Sequence, residues 1–326
     1  MKGFKGFEKG LICRGKRYAE NTVFDEPKAT ICKSGIHFCE NPLDVLDYYP
    51  LLNNDAEPNE FAEVEALGKT DTDDHKKFCT TKLKVGAKLS FAGFVKAAID
   101  FVFEKCNGGE VDSGDSSQLA ASGDSSQLAA SGDYSQLAAS GNSSKLAASG
   151  DSSQLVASGY SSKLAASGDS SQLAASGDYS KLAASGNSSK LAASGDSSQL
   201  VASGYSSQLA ASGDSSQLAA SGYSSQLVAS GNSSQLAASG DSSKLAASGY
   251  YSQLVASGKH SVVAGIGIEN IAKAALGNWI VLAEWKYDKN ISKWIPKCVK
   301  SAQVDGEHIK TDTWYCLKNG EFTEVE

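Results

Sequence analysis

The chain has 326 residues, of which 41% are hydrophobic and 21% are charged, and its formal net charge is −7. No apolar run reaches the roughly 18 residues of a membrane span, and the acidic balance argues against direct nucleic-acid binding. The N-terminus lacks the apolar core of a secretory signal, so we expect a cytoplasmic protein that makes no membrane contact.

The seven cysteines are odd in number and form no CxxC pair. Cys32 and Cys39 flank His37, but zinc ligands normally come in tighter pairs. We therefore expect reduced, structural thiols, and neither a metal nor a cofactor.

Residues 1–112 predict an N-terminal α+β capping domain. Residues 61–67 and 81–85 have strand composition, and an acidic turn is expected at residues 70–74 between them. Residues 91–105 have helical spacing, with Ser90 as a plausible N-cap. The wide apolar face of this helix would cover the first rung of the array that follows.

Sixteen nine-residue units follow one another without a gap from residue 113 to residue 256. Within a unit, positions 1, 2, 5, 7 and 9 are always Ser, Gly, Ser, Leu and Ala. Position 3 is Asp, Asn or Tyr, position 4 is Ser or Tyr, position 6 is Gln or Lys, and position 8 is Ala or Val. A flexible linker does not need an invariant Leu and Ala at one phase, so we predict ordered structure.

The fixed residues at positions 5, 7 and 9 alternate with variable ones, which indicates a strand with one buried face. A glycine in every unit disfavours a helix and should free the backbone at the corners. Nine residues are too few to close a coil, so two units should form one rung, with inward Ser hydroxyls hydrogen-bonded along the stack. We predict a mainly β fold: a central β-solenoid of about eight 18-residue rungs over residues 113–265, with α+β capping regions at both ends.

Residues 18 apart would then stack in columns. Like charges recur in an aspartate column and in a lysine column at Lys145, Lys163 and Lys181, where neighbouring charges repel each other. Either a solvated edge tolerates this repulsion, or the aspartates form an acidic stripe that meets a basic partner or a cation. Stacked tyrosines could add a contact patch. The candidate interaction surface consists of Asp115, Asp133, Asp151, Asp169, Tyr205 and Tyr223.

The repeat fades over residues 257–265, where His260 is expected at an edge and not as a ligand. Residues 266–326 predict a β-rich C-terminal cap. Its expected strands are residues 279–285, 299–304, 313–317 and 322–325, with a hairpin turn at residues 318–321.

Units such as Gly-Tyr-Ser-Ser-Gln-Leu at residues 204–209 resemble the coils of bacterial ice-nucleation proteins, which form thin β-solenoids. The outward Thr-x-Thr row that this family uses to order water is absent here. The resemblance therefore supports the rung geometry and disfavours ice binding.

The flanks resemble an uncharacterised family of phage and prophage proteins. The matching segments are Cys-Arg-Gly at residues 13–15, Gly-Ile-His-Phe-Cys at 35–39, Pro-Leu-Asp-Val-Leu-Asp-Tyr-Tyr at 42–49, Ile-Val-Leu-Ala-Glu-Trp at 280–285 and Asp-Thr-Trp-Tyr at 312–315. The resemblance implies variable Gly/Ser-rich repeats between the flanks and a location in the host cytoplasm, and it implies no activity.

Residues 35–38, followed by Tyr48 and Tyr49, faintly resemble the Gly-x-Tyr-Phe…Tyr segment of ADP-ribosyltransferases. That resemblance makes Arg14 and His37 weak N-terminal site candidates. His37 stands where that family often has Tyr, and no catalytic Glu is visible in a matching context. A structural role, such as a hydrogen-bonded pair, is the other interpretation of these two residues.

The sequence predicts a non-enzymatic phage-type solenoid that presents a rigid, elongated surface for binding or assembly. The expected partner is a protein or a second copy of the chain, with a homodimer as the specific prediction. Three alternatives stay open: a host-directed inhibitor with an acidic, DNA-mimicking or anti-defence rod, a diverged ADP-ribosyltransferase-like enzyme, and an ice-binding protein.

Overall fold

The computed structural model describes residues 1–31, 33–50, 53, 59–73, 76–90, 93–94, 97–98, 101, 110–112 and 114–325. The protein is mainly β, with 48% strand and 3% helix. It divides into two compact units, Met1–Lys105 and Cys106–Glu326. We call them the N-terminal unit and the solenoid unit.

The N-terminal unit is built on an antiparallel seven-stranded sheet in the order β4-β9-β6-β1-β5-β8-β7, and β2 and β3 form a separate small hairpin. A short helix, α1 (Pro42–Val45), begins at Asn41, whose side chain accepts a hydrogen bond from the Leu43 amide. The strands are Lys2–Phe7 (β1), Ile12–Cys13 (β2), Lys16–Arg17 (β3), Thr22–Asp25 (β4), Ile36–Cys39 (β5), Glu60–Ala66 (β6), Thr70–Thr72 (β7), Lys77–Thr80 (β8) and Lys82–Leu89 (β9).

Two strand predictions in this unit are confirmed, as β6 and β9, which pair with each other. The predicted acidic turn is wrong over Thr70–Thr72, because these residues pair with β8 as strand β7. Of the predicted helix at residues 91–105, the described positions 93, 94, 97, 98 and 101 are helical, and the others lie outside the described residues.

The solenoid unit confirms the predicted fold class, with about nine turns at 18-residue spacing over residues 118–282. The ninth turn, β27 and β28, lies beyond the last regular unit. Sheet A contains Glu110–Asp112 (β10), Gln127–Ala130 (β12), Lys145–Ala148 (β14), Lys163–Ala166 (β16), Lys181–Ala184 (β18), Gln199–Ala202 (β20), Gln217–Ala220 (β22), Gln235–Ala238 (β24), Gln253–Ala256 (β26) and Ile271–Ala274 (β28).

Sheet B contains the alternate strands, so each pair of consecutive repeats contributes one strand to each sheet. Within both sheets the repeat strands pair in parallel, and every residue lies beside the one 18 positions later, as in Leu137↔Leu155. The strands are Gln118–Ala121 (β11), Gln136–Ala139 (β13), Gln154–Ala157 (β15), Gln172–Ala175 (β17), Lys190–Ala193 (β19), Gln208–Ala211 (β21), Gln226–Ala229 (β23), Lys244–Ala247 (β25), Val262–Gly265 (β27) and Trp279–Asp288 (β29).

The solenoid core is a stack of Leu and Ala side chains from positions 7 and 9, buried along almost its entire length. The position-5 serines are buried as well, so the inward face is the predicted one. Position 8 differs between the sheets. In sheet A these side chains are buried, as Ala165 is, whereas in sheet B they are largely exposed, as Val156 is at 50%.

The backbone conformation at the corners differs from the sequence prediction. The left-handed backbone falls on position 4, as at Ser152 (φ 57°) and Tyr179 (φ 56°), and not on the glycine. Glycine is required at position 2 because a Cβ on Gly186 would meet the backbone carbonyl of Gly168 directly below it, far inside van der Waals contact. The invariant glycine therefore serves close stacking between rungs.

The buried serine hydroxyls also differ from the prediction. In all but the last turns each hydroxyl donates to the position-2 carbonyl of its own corner, as from Ser153 to Gly150 at 2.9 Å. Backbone bonds link the rungs instead, such as the Gln154 amide to the Ser135 carbonyl at 2.8 Å. Each serine thus satisfies its hydroxyl within its own corner and closes that corner.

The C-terminal region closes both sheets with antiparallel hairpins. Lys293–Gln303 (β30) pairs with β29 at the end of sheet B, and Tyr315–Lys318 (β31), paired to Glu321–Glu324 (β32), joins β28 in sheet A. The four predicted strands and the hairpin turn at Asn319 are confirmed. β30 carries Pro296 and three lysines, which discourage another strand from adding to this edge.

Two buried asparagines replace serine at the inward corner positions of the last turns. The Asn270 side chain accepts from the Ser252 amide at 2.8 Å, and the Asn278 side chain accepts from the Ser261 amide at 2.8 Å. The Asn278 amide also donates to the Gly258 carbonyl at 2.6 Å. The longer side chain reaches the rung below, so these residues satisfy the backbone where the repeat ends.

Candidate functional sites

The six residues of the candidate interaction surface occupy one corner column of the solenoid, which we call the acidic column. Each carboxylate accepts a hydrogen bond from the backbone amide of the residue 18 positions later. Asp133 bonds the Asp151 amide at 2.8 Å, and Asp151 bonds the Asp169 amide at 2.7 Å. These charge-assisted bonds offset the repulsion between stacked carboxylates and explain why the solvated edge tolerates them.

Asparagine makes the same bond as aspartate on the opposite corner. The Asn142 side chain accepts from the Tyr160 amide at 3.0 Å, just as Asp124 accepts from the Asn142 amide at 2.8 Å. The position-3 requirement is therefore an acceptor of the right length, with or without charge. Tyrosine lacks that acceptor and interrupts the ladder.

Tyr205 and Tyr223 interrupt this corner column with an aromatic pair, and Asp241 follows on the next rung, where it accepts from the Lys259 amide. Their rings stack with centroids 5.2 Å apart at an interplanar angle of 13°, and they are 58% and 47% exposed. The backbone changes here too. At most corners the position-4 amide donates to the rung above, but the Ser224 amide donates to the Tyr205 carbonyl below at 2.9 Å. This corner is a distinct exposed aromatic patch within a regular column.

The lysine column of sheet A is also in register, since Lys145 lies beside Lys163 and Lys163 beside Lys181.

His260 has the left-handed backbone of a position-4 corner residue (φ 56°). The structure thus places it on an exposed edge.

Sheet B presents a strip of small side chains on its outward face, which we call the sheet B strip. Its centre is the position-8 column, where Val156 and Val228 are each 50% exposed. A column of Gln and Lys side chains lies along one side and a column of serines along the other. The position-8 side chains of the repeats in sheet B are Ala120, Ala138, Val156, Ala174, Ala192, Ala210, Val228 and Ala246.

Arg14 and His37, the two weak N-terminal candidates, line the same cavity of about 260 Å³ in the N-terminal unit. β1, β5 and β8, the β2–β3 hairpin and the chain after α1 form its walls. Arg14 sits in the hairpin turn with a left-handed backbone (φ 50°), and its side chain is exposed. The structure contains no hydrogen bond between Arg14 and His37 among the described residues, although both face the cavity.

Lys5 lies at the base of this cavity and is only 4% exposed. Its ammonium donates to the His37 carbonyl at 2.9 Å and lies 5.4 Å from the Phe7 ring centroid. Burial lowers the Lys5 pKa, and the neighbouring Cys13 opposes that shift. Burial also lowers the pKa of His37 to about 4, reinforced by the positive charges of Lys5 and Arg14.

Tyrosine and thiol groups complete the wall. The Tyr49 hydroxyl donates to the Cys13 Sγ at 2.9 Å, and burial, with Cys13 adding to it, raises the Tyr49 pKa. Lys16 forms an ion pair with Glu26 at 2.6 Å. Lys77 lies 4.5 Å from the Tyr48 ring centroid. The residues of this cavity come from positions 4 to 77, so sequence spacing gives no sign that they meet.

In the part of the chain that the structure describes, no three His, Cys, Asp or Glu side chains are grouped to hold a metal ion. Within the same residues no helix is long and apolar enough to cross a membrane. Cys13, Cys39 and Cys79 are buried.

Residues 1–97 match the model of a family described as Domain of unknown function (DUF7666). The match covers the N-terminal unit up to its C-terminal helical residues and leaves the repeat array outside. No curated protein and no solved structure matches the chain. The comparisons therefore assign no activity, and the phage-family and ice-nucleation resemblances stay predictions.

Proposed function

We propose that the chain acts without catalysis, as a rigid, elongated scaffold whose solenoid presents a repeated surface for binding and assembly. The observation that supports this most directly is the in-register parallel pairing of every repeat strand in both sheets. It sets side chains from the same repeat position about 4.8 Å apart along a strip many strands long. A partner with the same spacing could match that strip at every rung.

The partner that best fits this spacing is a second copy of the chain. Two sheet B strips have the same period, and their small Ala and Val side chains allow close approach with the Gln and Ser columns at the margins. Symmetric, self-complementary contact is the commonest way in which soluble proteins form dimers. We propose a homodimer in which two sheet B strips pack face to face.

The available area is sufficient for such a dimer. The nine parallel strands from β11 to β27, at about 4.8 Å spacing and with about six residues of width, give roughly 800 Å² on each copy. Stable interfaces of standard size bury about 800 Å² per partner. The Gln and Ser margins resemble the polar rim of such interfaces.

The test is the molar mass in solution of the full chain, measured by light scattering over a range of micromolar concentrations. The double variant Val156→Glu/Val228→Glu places two carboxylates in the centre of the proposed interface and should be monomeric. Val299→Glu makes the same change at a side chain that is 56% exposed on β30, outside the strip, and should leave the dimer intact. A monomeric wild-type chain at high concentration would refute the homodimer.

The inhibitor alternative makes a different prediction from the same protein. A host protein that is captured at low salt and lost at high salt would indicate recognition of the acidic column, because exposed charges are screened by salt. We also propose that the acidic column is a binding stripe and that the protein is located in the host cytoplasm. The homodimer does not depend on either of these two proposals.

A further inference from the structure

The N-terminal cavity has no role in a scaffold, and the residues described in its lining carry more positive than negative groups. Four cationic side chains line it, Lys5, Arg14, Lys16 and Lys77, and among the described lining residues the one carboxylate is Glu26. Glu26 is paired with Lys16. The Arg14 guanidinium borders a partly enclosed space, where an anion would interact with it more strongly than in bulk water.

Arg14 is the cation best placed to meet a ligand. The part of the chain that the structure describes contains no ion-pair or hydrogen-bond partner for its guanidinium. The turn holds it in the left-handed region (φ 50°), a conformation that is costly for a side chain of this type. Gly15 follows with φ 73°, so the two residues form a tight hairpin turn that fixes the Arg14 backbone at the cavity.

The rest of the lining is aromatic and apolar. Tyr48 is 42% exposed at the cavity with its ring beside Lys77, and Tyr18, Phe38 and Tyr49 also line the walls. Aromatic walls favour a planar ring. The volume of about 260 Å³ lies just below the range of roughly 300–1,000 Å³ typical of drug-sized ligands, so the ligand should be compact.

We propose that this cavity binds a small organic anion built on a single aromatic ring, with Arg14 holding the anionic group and the tyrosine-rich wall contacting the ring. Phosphate monoesters and carboxylates share this chemistry. Arg14 suits both, because its planar guanidinium can pair with either group through two hydrogen bonds.

The experiment is isothermal titration calorimetry on the full chain with three probes. Phenyl phosphate and benzoate each carry a ring and an anion, and inorganic phosphate lacks the ring. We expect one of the two aromatic probes to bind at least 10-fold more tightly than inorganic phosphate. The better of the two identifies the anionic group.

Two substitutions assign the roles. Arg14→Gln should weaken the better aromatic probe at least 10-fold, whereas Arg17→Gln, an exposed arginine of the same hairpin outside the cavity lining, should change it less than 2-fold. Tyr48→Leu should weaken the aromatic probe and leave inorganic phosphate unchanged. Circular dichroism melting of each variant checks that the N-terminal unit is still folded.

Three results would overturn the proposal: no binding of either aromatic probe to the wild-type chain, equal binding of inorganic phosphate, or equal losses in Arg14→Gln and Arg17→Gln. The outcome is independent of the homodimer, because the variants lie in the N-terminal unit. A monomeric chain that binds phenyl phosphate would separate the two ideas.

Discussion

The two units of this protein use their residues in opposite ways. In the solenoid unit, each residue has the same structural role as the residues 18 positions before and after it. In the N-terminal unit, Lys5, Arg14 and His37 each occupy a unique environment around one cavity. The stability of the solenoid unit therefore depends on the same packing contact between rungs, repeated many times. Any specific chemistry is concentrated in the N-terminal unit, which has no repeats.

We expect the largest loss of stability when a methyl group is added between two rungs of the solenoid. Gly186→Ala places a Cβ against the carbonyl of Gly168, and we expect a loss of about 3 kcal/mol or more, because backbone on both sides cannot yield. Gly123→Ala is the matched control. It occupies the same repeat position near the start of the array, where the nearest atom to an added Cβ is the Ser126 hydroxyl at 3.7 Å.

Urea unfolding followed by circular dichroism measures both variants. Equal stability of Gly186→Ala and Gly123→Ala would contradict the close-stacking role of the glycine column.

The next largest effect is expected where the repeat ends. Asn278→Ala leaves the Ser261 amide and the Gly258 carbonyl without their side-chain partners, at a cost of about 1–3 kcal/mol for each buried group. Asn290→Ala, at an exposed position of the β29–β30 turn, should lie within about 0.5 kcal/mol of wild type. Thermal unfolding and amide hydrogen exchange in β26–β28 would locate the loss.

In the N-terminal unit, we expect the free energy of unfolding to depend on pH through His37. His37 has a pKa of about 4 when folded and 6.5 ordinarily, so the unfolded chain binds a proton first as the pH falls. Stability should therefore be fully present above pH 6.5 and decrease as the pH falls toward 4. His37→Gln should remove this part of the slope. Unfolding midpoints at several pH values test it, and an NMR titration of His37 near pH 6.5 would contradict it.

The smallest effect concerns the acidic column. Asp151→Ala removes an exposed acceptor from the Asp169 amide and should cost about 0.5–1 kcal/mol. Asp151→Asn keeps the acceptor, as Asn142 does naturally on the opposite corner, and should be close to neutral. If both variants lose equal stability, the charge itself is what the column needs.

The sequence could predict the rod because its physical causes are local and repeated. Alternation of fixed and variable positions identifies the buried face, and an 18-residue rung follows from the length of one unit. The role of the glycines could not be assigned correctly because it depends on the distance between rungs. The partner of the serine hydroxyls could not be assigned because it depends on the backbone geometry of the corner. Asn270 and Asn278 were missed because they lie where the repeat pattern has already faded.

Only some of the residues that line the cavity could be predicted from the sequence. Arg14, His37 and Tyr49 were connected by a faint family resemblance, whereas no pattern links Lys5 and Lys77 to them. Their convergence depends on antiparallel pairing of β1 with β5 and of β5 with β8, which joins distant segments of the chain. Long-range pairing of this kind leaves no periodic trace in a sequence.

The 18-residue register has a genetic consequence. Loss or gain of two adjacent units would shorten or lengthen the rod by one turn, about 4.8 Å, and leave every remaining column on its own side. Loss of a single unit would move all preceding strands to the other sheet, so the acidic column would continue on the opposite corner. Slippage between such similar DNA repeats can therefore change the length of this protein without damage, provided that it occurs in even steps.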